Sequence, residues 1–149
     1  MKFNQFSKHL SDLESTSSRN EMTELLVNLL KQLPTQEVKL GVYLALGQLR
    51  PSHDSLEFNL AEKQLQKSLA LAFGTELDQV HKAYRKLGDL GLVAEKMAGK
   101  QRGKKLGLKE VYKELEDVAM DEGSGSQERK VTNLAKLFKQ VGPLSARYI

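Results

Sequence analysis

The sequence predicts an all-α protein, a compact helical domain of about eight to nine helices with an internal pseudo-twofold repeat. Apolar residues recur three or four positions apart along most of the chain, as Phe3, Phe6, Leu10 and Leu13 do, and this is the period of an amphipathic helix. No segment shows sustained two-residue alternation, so we expect no sheet. Serine, glycine and proline breaks divide the chain into pieces of ordinary helix length.

The apolar pattern and the breaks together locate each helix. The expected helices lie near 3–14, 18–33, 36–49, 60–73, 75–87, 108–120, 126–141 and 144–149. Ser18, Asn59, Thr75 and Ser126 are expected at helix starts, where a side-chain oxygen can accept a hydrogen bond from a free amide. Pro34, Gly74 and Gly88 are expected to end helices.

Three segments are expected to connect helices rather than form them. Residues 50–55 are predicted to be a loop, and 89–95 a short, tight connection. Residues 96–107 hold five lysines and arginines and three glycines with little to bury, so they are predicted to be a flexible basic loop.

The chain contains a candidate internal repeat with an offset of 108 residues. At this offset Leu26 aligns with Leu134, and Leu30 aligns with Phe138. Chance alignment of two amphipathic helices explains such apolar matches, but the shared Lys-Gln pair at 31–32 and 139–140 and the shared proline break favour a duplication. Position 149 then corresponds to Gly41, inside a predicted helix, so we expect residues 1–149 to be a fragment truncated at its carboxy-terminal end.

Composition excludes several classes of protein. There is no cysteine, which excludes disulfides and cysteine metal sites, and no apolar run is long enough to span a membrane. The net charge of +4 divides into −1 for residues 1–95 and +5 for residues 96–149. A basic carboxy-terminal third is typical of a protein that binds a polyanion, although a solvated basic surface would look the same.

No catalytic or metal centre is expected. His9, His53 and His81 are widely spaced and form no metal-binding motif, and the glycines and lysines of 99–104 do not have the spacing of a nucleotide-binding P-loop. The expected chemistry is therefore binding.

The best candidate for a phosphate site is the segment 123–130. Its glycines allow close approach of the backbone, and a helix that begins near Ser126 presents free amides and the positive end of its dipole. An ordinary loop and helix cap would have the same composition. The predicted phosphate-binding residues are Gly123, Ser124, Gly125, Ser126, Arg129 and Lys130, with Lys100, Arg102, Lys104 and Lys105 as a possible DNA-backbone loop.

Several motifs resemble the amino-terminal domain of the ATP-dependent DNA ligases shared by archaea and eukaryotes. The segment 84–95, Tyr-Arg-Lys-Leu-Gly-Asp-Leu-Gly-Leu-Val-Ala-Glu, carries most of the resemblance. The Leu-Lys-Glu-Val-Tyr segment at 108–112, the Gly-Ser-Gly-Ser-x-x-Arg-Lys segment at 123–130 and the Pro-Leu-Ser-Ala-Arg-Tyr-Ile segment at 143–149 follow the same family. The resemblance covers essentially the whole chain.

The resemblance implies a role in DNA replication, recombination and repair. Such a domain wraps nicked duplex DNA through the minor groove and backbone, and Arg50, Pro51 and Ser52 would contribute a backbone contact. Adenylation and OB-fold domains elsewhere in the parent chain would carry the chemistry with ATP and magnesium. The family's Lys-x-Asp-Gly adenylation motif is absent from this sequence, so we expect residues 1–149 alone to be inactive and to need no cofactor.

The resemblance also implies a monomer without a membrane anchor, located with the DNA in the cytoplasm of a prokaryote or in the nucleus of a eukaryote. Two alternatives remain open at this point. The chain could be a helical protein-interaction module whose basic loop docks an acidic partner, or a stand-alone enzyme that becomes adenylated.

Overall fold

The computed structural model describes residues 1–54 and 56–149, and the regular structure in this part of the chain is helical. Its nine α-helices are α1 Phe3–Glu14, α2 Arg19–Gln32, α3 Val38–Ala45, α4 Glu62–Phe73, α5 Leu77–Leu87, α6 Leu90–Ala98, α7 Leu108–Met120, α8 Ser126–Gln140 and α9 Pro143–Arg147. Short 3₁₀ turns cover Thr35–Glu37 and Ser52–Asp54. The predicted all-α class is confirmed; Ser55, in the predicted loop 50–55, lies outside the described residues.

Helices α1 and α7 have the bounds that the sequence predicts, and they share the core. Phe3 and Phe6 of α1 are buried side by side, with ring centroids 6.0 Å apart. The amide of Phe3 donates to the carbonyl of Leu106, 2.9 Å away, just before α7 begins. Burial of each phenylalanine contributes on the order of 1.5–3 kcal/mol. Burial of the two rings and the hydrogen bond to Leu106 together attach the first helix to the second half of the chain.

The predicted apolar stripe of α2 is only partly buried. Ser18 does cap the helix by accepting from the amide of Glu21. Leu29 is buried, whereas Leu26 is 40% and Leu30 is 41% exposed. The stripe is too wide for the surface that covers it, so one edge of α2 faces solvent.

Helix α3 ends four residues earlier than predicted. Gly47 adopts φ +67°, a left-handed conformation that closes the helix, and Leu46 beside it is 65% exposed. The chain then turns back, so Leu49 is buried although it is not helical, and the Tyr112 hydroxyl donates to the Leu49 carbonyl.

The helix caps predicted at Asn59 and Thr75 are wrong. Asn59 has φ +48° and precedes an extended stretch, so α4 starts at Glu62 with Ala61 in the cap position. Phe58 and Leu60, on either side of Asn59, both pack against the core. Thr75 lies one residue before the cap of α5, and its hydroxyl bonds the side chain of Gln79, 2.6 Å away.

The predicted connection 89–95 is wrong, because most of it is helix α6. The Asp89 carboxylate accepts from the amide of Leu92 at 2.7 Å and so caps the start of this helix. Gly91 lies directly against α9; a Cβ there would be 2.5 Å from the carbonyl oxygen of Arg147. Glycine is therefore needed for the close approach of α6 and α9.

The core lies where α4, α6, α7, α8 and α9 meet. Helices α7 and α8 form an antiparallel hairpin, and α4 packs across α8 with Phe73 and Phe138 at a centroid distance of 6.3 Å. Shifted by the repeat offset, α2 would span 127–140, close to the observed span of α8. Within the described ranges, no helix is both long and apolar enough to cross a lipid bilayer.

Candidate nucleic-acid interface

The predicted DNA-binding residues fall into two groups at opposite ends of α8. The glycine turn, residues 121–126, and the segment 50–52 lie at the amino-terminal end, beside the last turn of α7. The basic loop, residues 99–107, lies at the carboxy-terminal end, where Lys104 bonds Gln140. Fifteen helical residues separate the groups by about 22 Å.

The glycine turn joins α7 to α8 through two left-handed glycines. Gly123 has φ +83° and Gly125 has φ +76°, a backbone conformation that side chains disfavour. Gly125 is the cap residue of α8, and Ser126 is its first helical residue, so the predicted capping role of Ser126 is wrong. Ser124 is exposed and lies at the tip of the turn.

Arg129 is occupied by contacts within the turn. Its guanidinium donates to both carboxylate oxygens of Asp121, with a shortest distance of 2.6 Å, and to the carbonyls of Glu122 and Ser124. These hydrogen bonds hold the pKa of Asp121 below its ordinary value. Arg129 therefore holds the turn in shape, and a phosphate would have to compete with an acidic partner already in place.

Lys130 does not have the geometry of a phosphate ligand. Lys130 is only 2% exposed. Its ammonium donates to the carbonyl of Phe58 at 2.6 Å and to that of Ala119 at 3.3 Å. The sequence places Lys130 in the first turn of α8 beside Arg129, but the helix turns it inward. Its positive charge satisfies two main-chain carbonyls and joins α8 to the segment before α4.

The segment 50–52 lies beside α7, where the positive charge of Arg50 is partly neutralised. Arg50 pairs with Glu116 at 3.4 Å and approaches Asp54 at 3.8 Å. Pro51 is half-buried, and Ser52 is exposed at the start of a 3₁₀ turn. The guanidinium of Arg50 also contacts the sulfur of Met120, so this segment and the glycine turn are neighbours.

The basic loop carries the unpaired positive charge among the predicted residues. Lys100, Arg102, Lys104 and Lys105 are all exposed, and in the described part of the chain none of them pairs with a carboxylate. The Lys104 ammonium donates to the neutral side chain of Gln140, 3.2 Å away. Four such cations on one short loop make a suitable contact for a phosphate backbone.

The predicted flexibility of this loop is not what the structure shows. The predicted loop 96–107 is also too long, because residues 96–98 belong to α6. In the remainder, Leu106 packs against the core, the amide of Lys104 bonds the Gln140 carbonyl at 2.7 Å, and Gly107 forms a bridge with Lys2. The sequence did not predict these contacts, because lysines and glycines are typical of a flexible loop. The contacts that hold the loop are made by its backbone and by Gln101.

Sequence reasoning missed two residues at this end of α8. Gln101 bonds main-chain carbonyls at the end of the helix, and Lys139 contributes another exposed cation in the last turn. Both were inconspicuous because they lie nearly 40 residues apart in the chain. No local pattern indicates that the loop folds back onto α8.

Across residues 1–54 and 56–149, no three histidine, aspartate or glutamate side chains gather as a metal site would require. A cavity of about 280 Å³ between α4, α6, α8 and α9 is lined mainly by aliphatic and aromatic side chains, including Leu69, Leu134 and Phe138. The polar chemistry lies on the surface, at the two ends of α8, and suits the binding of an anion.

Comparison with known proteins assigns the family. Residues 2–149 match the family model described as DNA ligase N terminus. The chain is 40% identical to DNA ligase 2 of Thermofilum pendens in an alignment 149 positions long, which covers 92% of this chain and 25% of that protein. It is 37% identical to a DNA ligase of Pyrobaculum neutrophilum, covering 100% of this chain and 27% of that protein.

A third relative is a probable DNA ligase of Dictyoglomus thermophilum, which is 32% identical over the whole of this chain and 25% of its own length. The chain thus spans about a quarter of the length of these curated relatives. The match to the family model extends over nearly every residue, including the helix α6 motif, the glycine turn and α9. The chain belongs to the DNA ligase N-terminus family.

Proposed function

We propose that this chain binds duplex DNA without regard to base sequence, as the DNA-binding part of an ATP-dependent DNA ligase that seals nicks in replication and repair. The observation that carries the proposal is the basic loop, whose four exposed cations have no acidic partner within the described residues. Contacts from lysine and arginine to phosphates position a protein on DNA but read no sequence.

The glycine turn has a secondary part in this proposal. Backbone amides at the start of α8 and the hydroxyls of Ser124 and Ser126 would contact a second stretch of backbone, with Ser52 and Pro51 beside them. Arg50 and Arg129 would contribute only by exchanging a partly buried carboxylate, Glu116 or Asp121, for a phosphate. Ion pairs near a protein surface are weak, so a phosphate could compete for either guanidinium. Lys130 has no part in it.

The remaining chemistry belongs to the parent protein in this proposal. Adenylation by ATP with magnesium would occur on a Lys-x-Asp-Gly lysine outside residues 1–149, and the catalytic domains of the same chain would be the protein partners. The DNA-binding part would act as a monomer that holds the nicked duplex against those domains. The family membership and the relatives named DNA ligase support this assignment.

The test is binding to a fluorescently labelled nicked duplex at about 50 and about 200 mM salt, since displaced counterions make phosphate binding strongly salt-dependent. A variant with Lys100, Arg102, Lys104 and Lys105 replaced by glutamine should bind more weakly. Its slope of log affinity against log salt should be shallower by about 0.9 for each phosphate that the variant no longer neutralises, or roughly 3 to 4 in all.

A matched control removes the same charge from another surface. Lys63, Lys67, Arg85 and Lys86 lie exposed on α4 and α5 and also comprise three lysines and one arginine. Their replacement by glutamine should change the slope much less. Equal effects of the two variants would mean that net charge alone drives binding, and binding of an acidic polypeptide without any binding of DNA would favour the protein-interaction alternative.

A further inference from the structure

The side chain of Gln101 joins the basic loop to the end of α8. Its amide nitrogen lies 3.0 Å from the carbonyl oxygen of Phe138, 3.2 Å from that of Lys139 and 2.5 Å from that of Val141. A carboxamide has two donor hydrogens, so these are shared among three acceptors. The backbone amide of Gln101 donates to the carbonyl of Ala98 at 2.9 Å, and this hydrogen bond holds the start of the loop against the end of α6.

These contacts satisfy the carbonyls that a helix leaves without partners. The last four carbonyls of an α-helix have no intrahelical donor. At the end of α8, Gln101 donates to those of Phe138 and Lys139, and the amide of Lys104 donates to that of Gln140 at 2.7 Å. The Phe138 carbonyl has one further, long hydrogen bond, from the amide of Val141 at 3.4 Å. Residues 101–104 therefore act as the carboxy-terminal cap of a helix that begins 25 residues further along the chain.

The loop also lies flat against the junction of α8 and α9. A Cβ at Gly103 would be 2.1 Å from the nitrogen of Gly142 and 2.4 Å from the carbonyl carbon of Val141. Only a residue without a side chain fits this approach. The backbone between Arg102 and Lys104 is thus held at van der Waals distance from the end of α8, while the charged side chains of Arg102 and Lys104 are exposed.

We infer that Gln101 is a positioning residue for DNA binding, which holds the basic loop on the end of α8 so that its four cations face a phosphate backbone as one ordered group. The inference rests on the function proposed above. A loop that is ordered before binding loses less conformational freedom when DNA binds. The negative end of the α8 dipole, which lies under the loop, further favours positive charge there.

The substitution Gln101→Met tests the inference, because methionine keeps the length and apolar stem of glutamine and removes only the donors. Binding to a nicked duplex is measured for four proteins, namely wild type, Gln101→Met, the four-glutamine loop variant and their combination. Gln101→Met should weaken binding about three- to tenfold when the loop charges are present. It should change nothing further in the loop variant, where no charges remain to be positioned.

This non-additivity separates positioning from a purely structural role. An equal loss on both backgrounds, or no loss in the wild-type background, would overturn the inference. Gln36→Met, at an exposed glutamine in the 3₁₀ turn before α3, is the matched control and should bind as wild type does.

Hydrogen exchange of the free proteins distinguishes failure of this inference from failure of the proposed function. Gln101→Met should reduce protection at the amide of Lys104 but keep it in the middle of α7. Unchanged protection at Lys104 would show that Gln101 does not hold the loop. Reduced protection, together with a four-glutamine variant that binds DNA as wild type does, would retain the anchoring role and contradict the DNA-binding role of the loop.

Discussion

At the scale of single residues, the environment of a lysine decides what its charge can do. Lys130 and Lys104 have the same chemistry, but one ammonium is enclosed by carbonyls and the other is in solvent. A buried ammonium is tolerated because it is hydrogen-bonded, and those same bonds withhold it from a ligand. Charge counted along the sequence therefore overstates the charge available to DNA.

Replacement of Lys130 by methionine should lower stability and leave DNA affinity unchanged. The substitution keeps the aliphatic stem but leaves the carbonyls of Phe58 and Ala119 without their donor, at a cost of about 1–3 kcal/mol. Urea unfolding measures the loss. Lys136→Met, at an exposed site on the same helix, should change stability by less than about 0.5 kcal/mol. Weaker DNA binding by folded Lys130→Met at wild-type stability would restore the phosphate assignment.

At the scale of elements, each end of α8 is stabilised by a loop. The glycine turn holds its start through Arg129 and Asp121, and the basic loop caps its end through Gln101. Helix ends carry free amides and carbonyls, so both regions that the sequence predicts to bind phosphate also stabilise the ends of α8. The effect of a substitution in either region on binding affinity therefore has to be compared with its effect on the free energy of unfolding.

The ion pair of Arg129 with Asp121 predicts a pH dependence of stability. Hydrogen bonds from Arg129 lower the pKa of the Asp121 carboxyl in the folded state below its ordinary value of 3.8. The unfolded chain therefore takes up this proton first, and the stability contributed by the pair is present above the ordinary pKa and lost as pH falls through the folded value. Arg129→Gln should remove this contribution and return the pKa of Asp121 toward 3.8.

Carboxyl NMR titration of Asp121 in wild type and in Arg129→Gln measures this pKa directly. Urea unfolding should show a stability difference between the two proteins at roughly pH 6 that shrinks as the pH falls below 3.8. A difference that is constant across this range would mean that Arg129 stabilises the turn through the carbonyls of Glu122 and Ser124 rather than through Asp121.

At the scale of the whole molecule, the two candidate repeats differ in what covers them. Leu134 and Phe138 of α8 are buried under α4, whereas Leu26 and Leu30, which align with them at the offset of 108, lie open on α2. The internal sequence match is consistent with two similar helices in unequal surroundings. The twofold relation itself stays a prediction.

The different exposure of leucines in the first third of the chain predicts that the same truncation to alanine has unequal effects on stability. Leu29→Ala removes a side chain that is 1% exposed and should cost about 2–5 kcal/mol. Leu46→Ala, at a residue that is 65% exposed, should change stability by less than about 0.5 kcal/mol. Thermal and urea unfolding test both. A large loss at Leu46 would show that the α3 end is covered in solution.

Prediction from the sequence succeeded for several local signals, although the caps expected at Asn59, Thr75 and Ser126 were wrong. The bounds of α1 and α7, the cap at Ser18 and the glycine ends at Gly74 and Gly88 all depend on residues within about one helical turn of each other. It failed for α6, because a Gly-Asp-Leu-Gly sequence has the composition of a turn. The structure shows that Asp89 caps the helix and that its glycine is required by the contact with α9.

The candidate site shows the same division. The sequence by itself determined the helical class, the position of the glycine turn, the concentration of positive charge after residue 95 and the family motifs. Only the tertiary structure decided that Lys130 points inward, that Arg129 is paired and that the basic loop is held by Gln101. Those outcomes depend on partners 72, 8 and 37 residues away, respectively. Helix period and capping act within a few residues, whereas burial and carbonyl satisfaction are set by whichever segments the fold brings together.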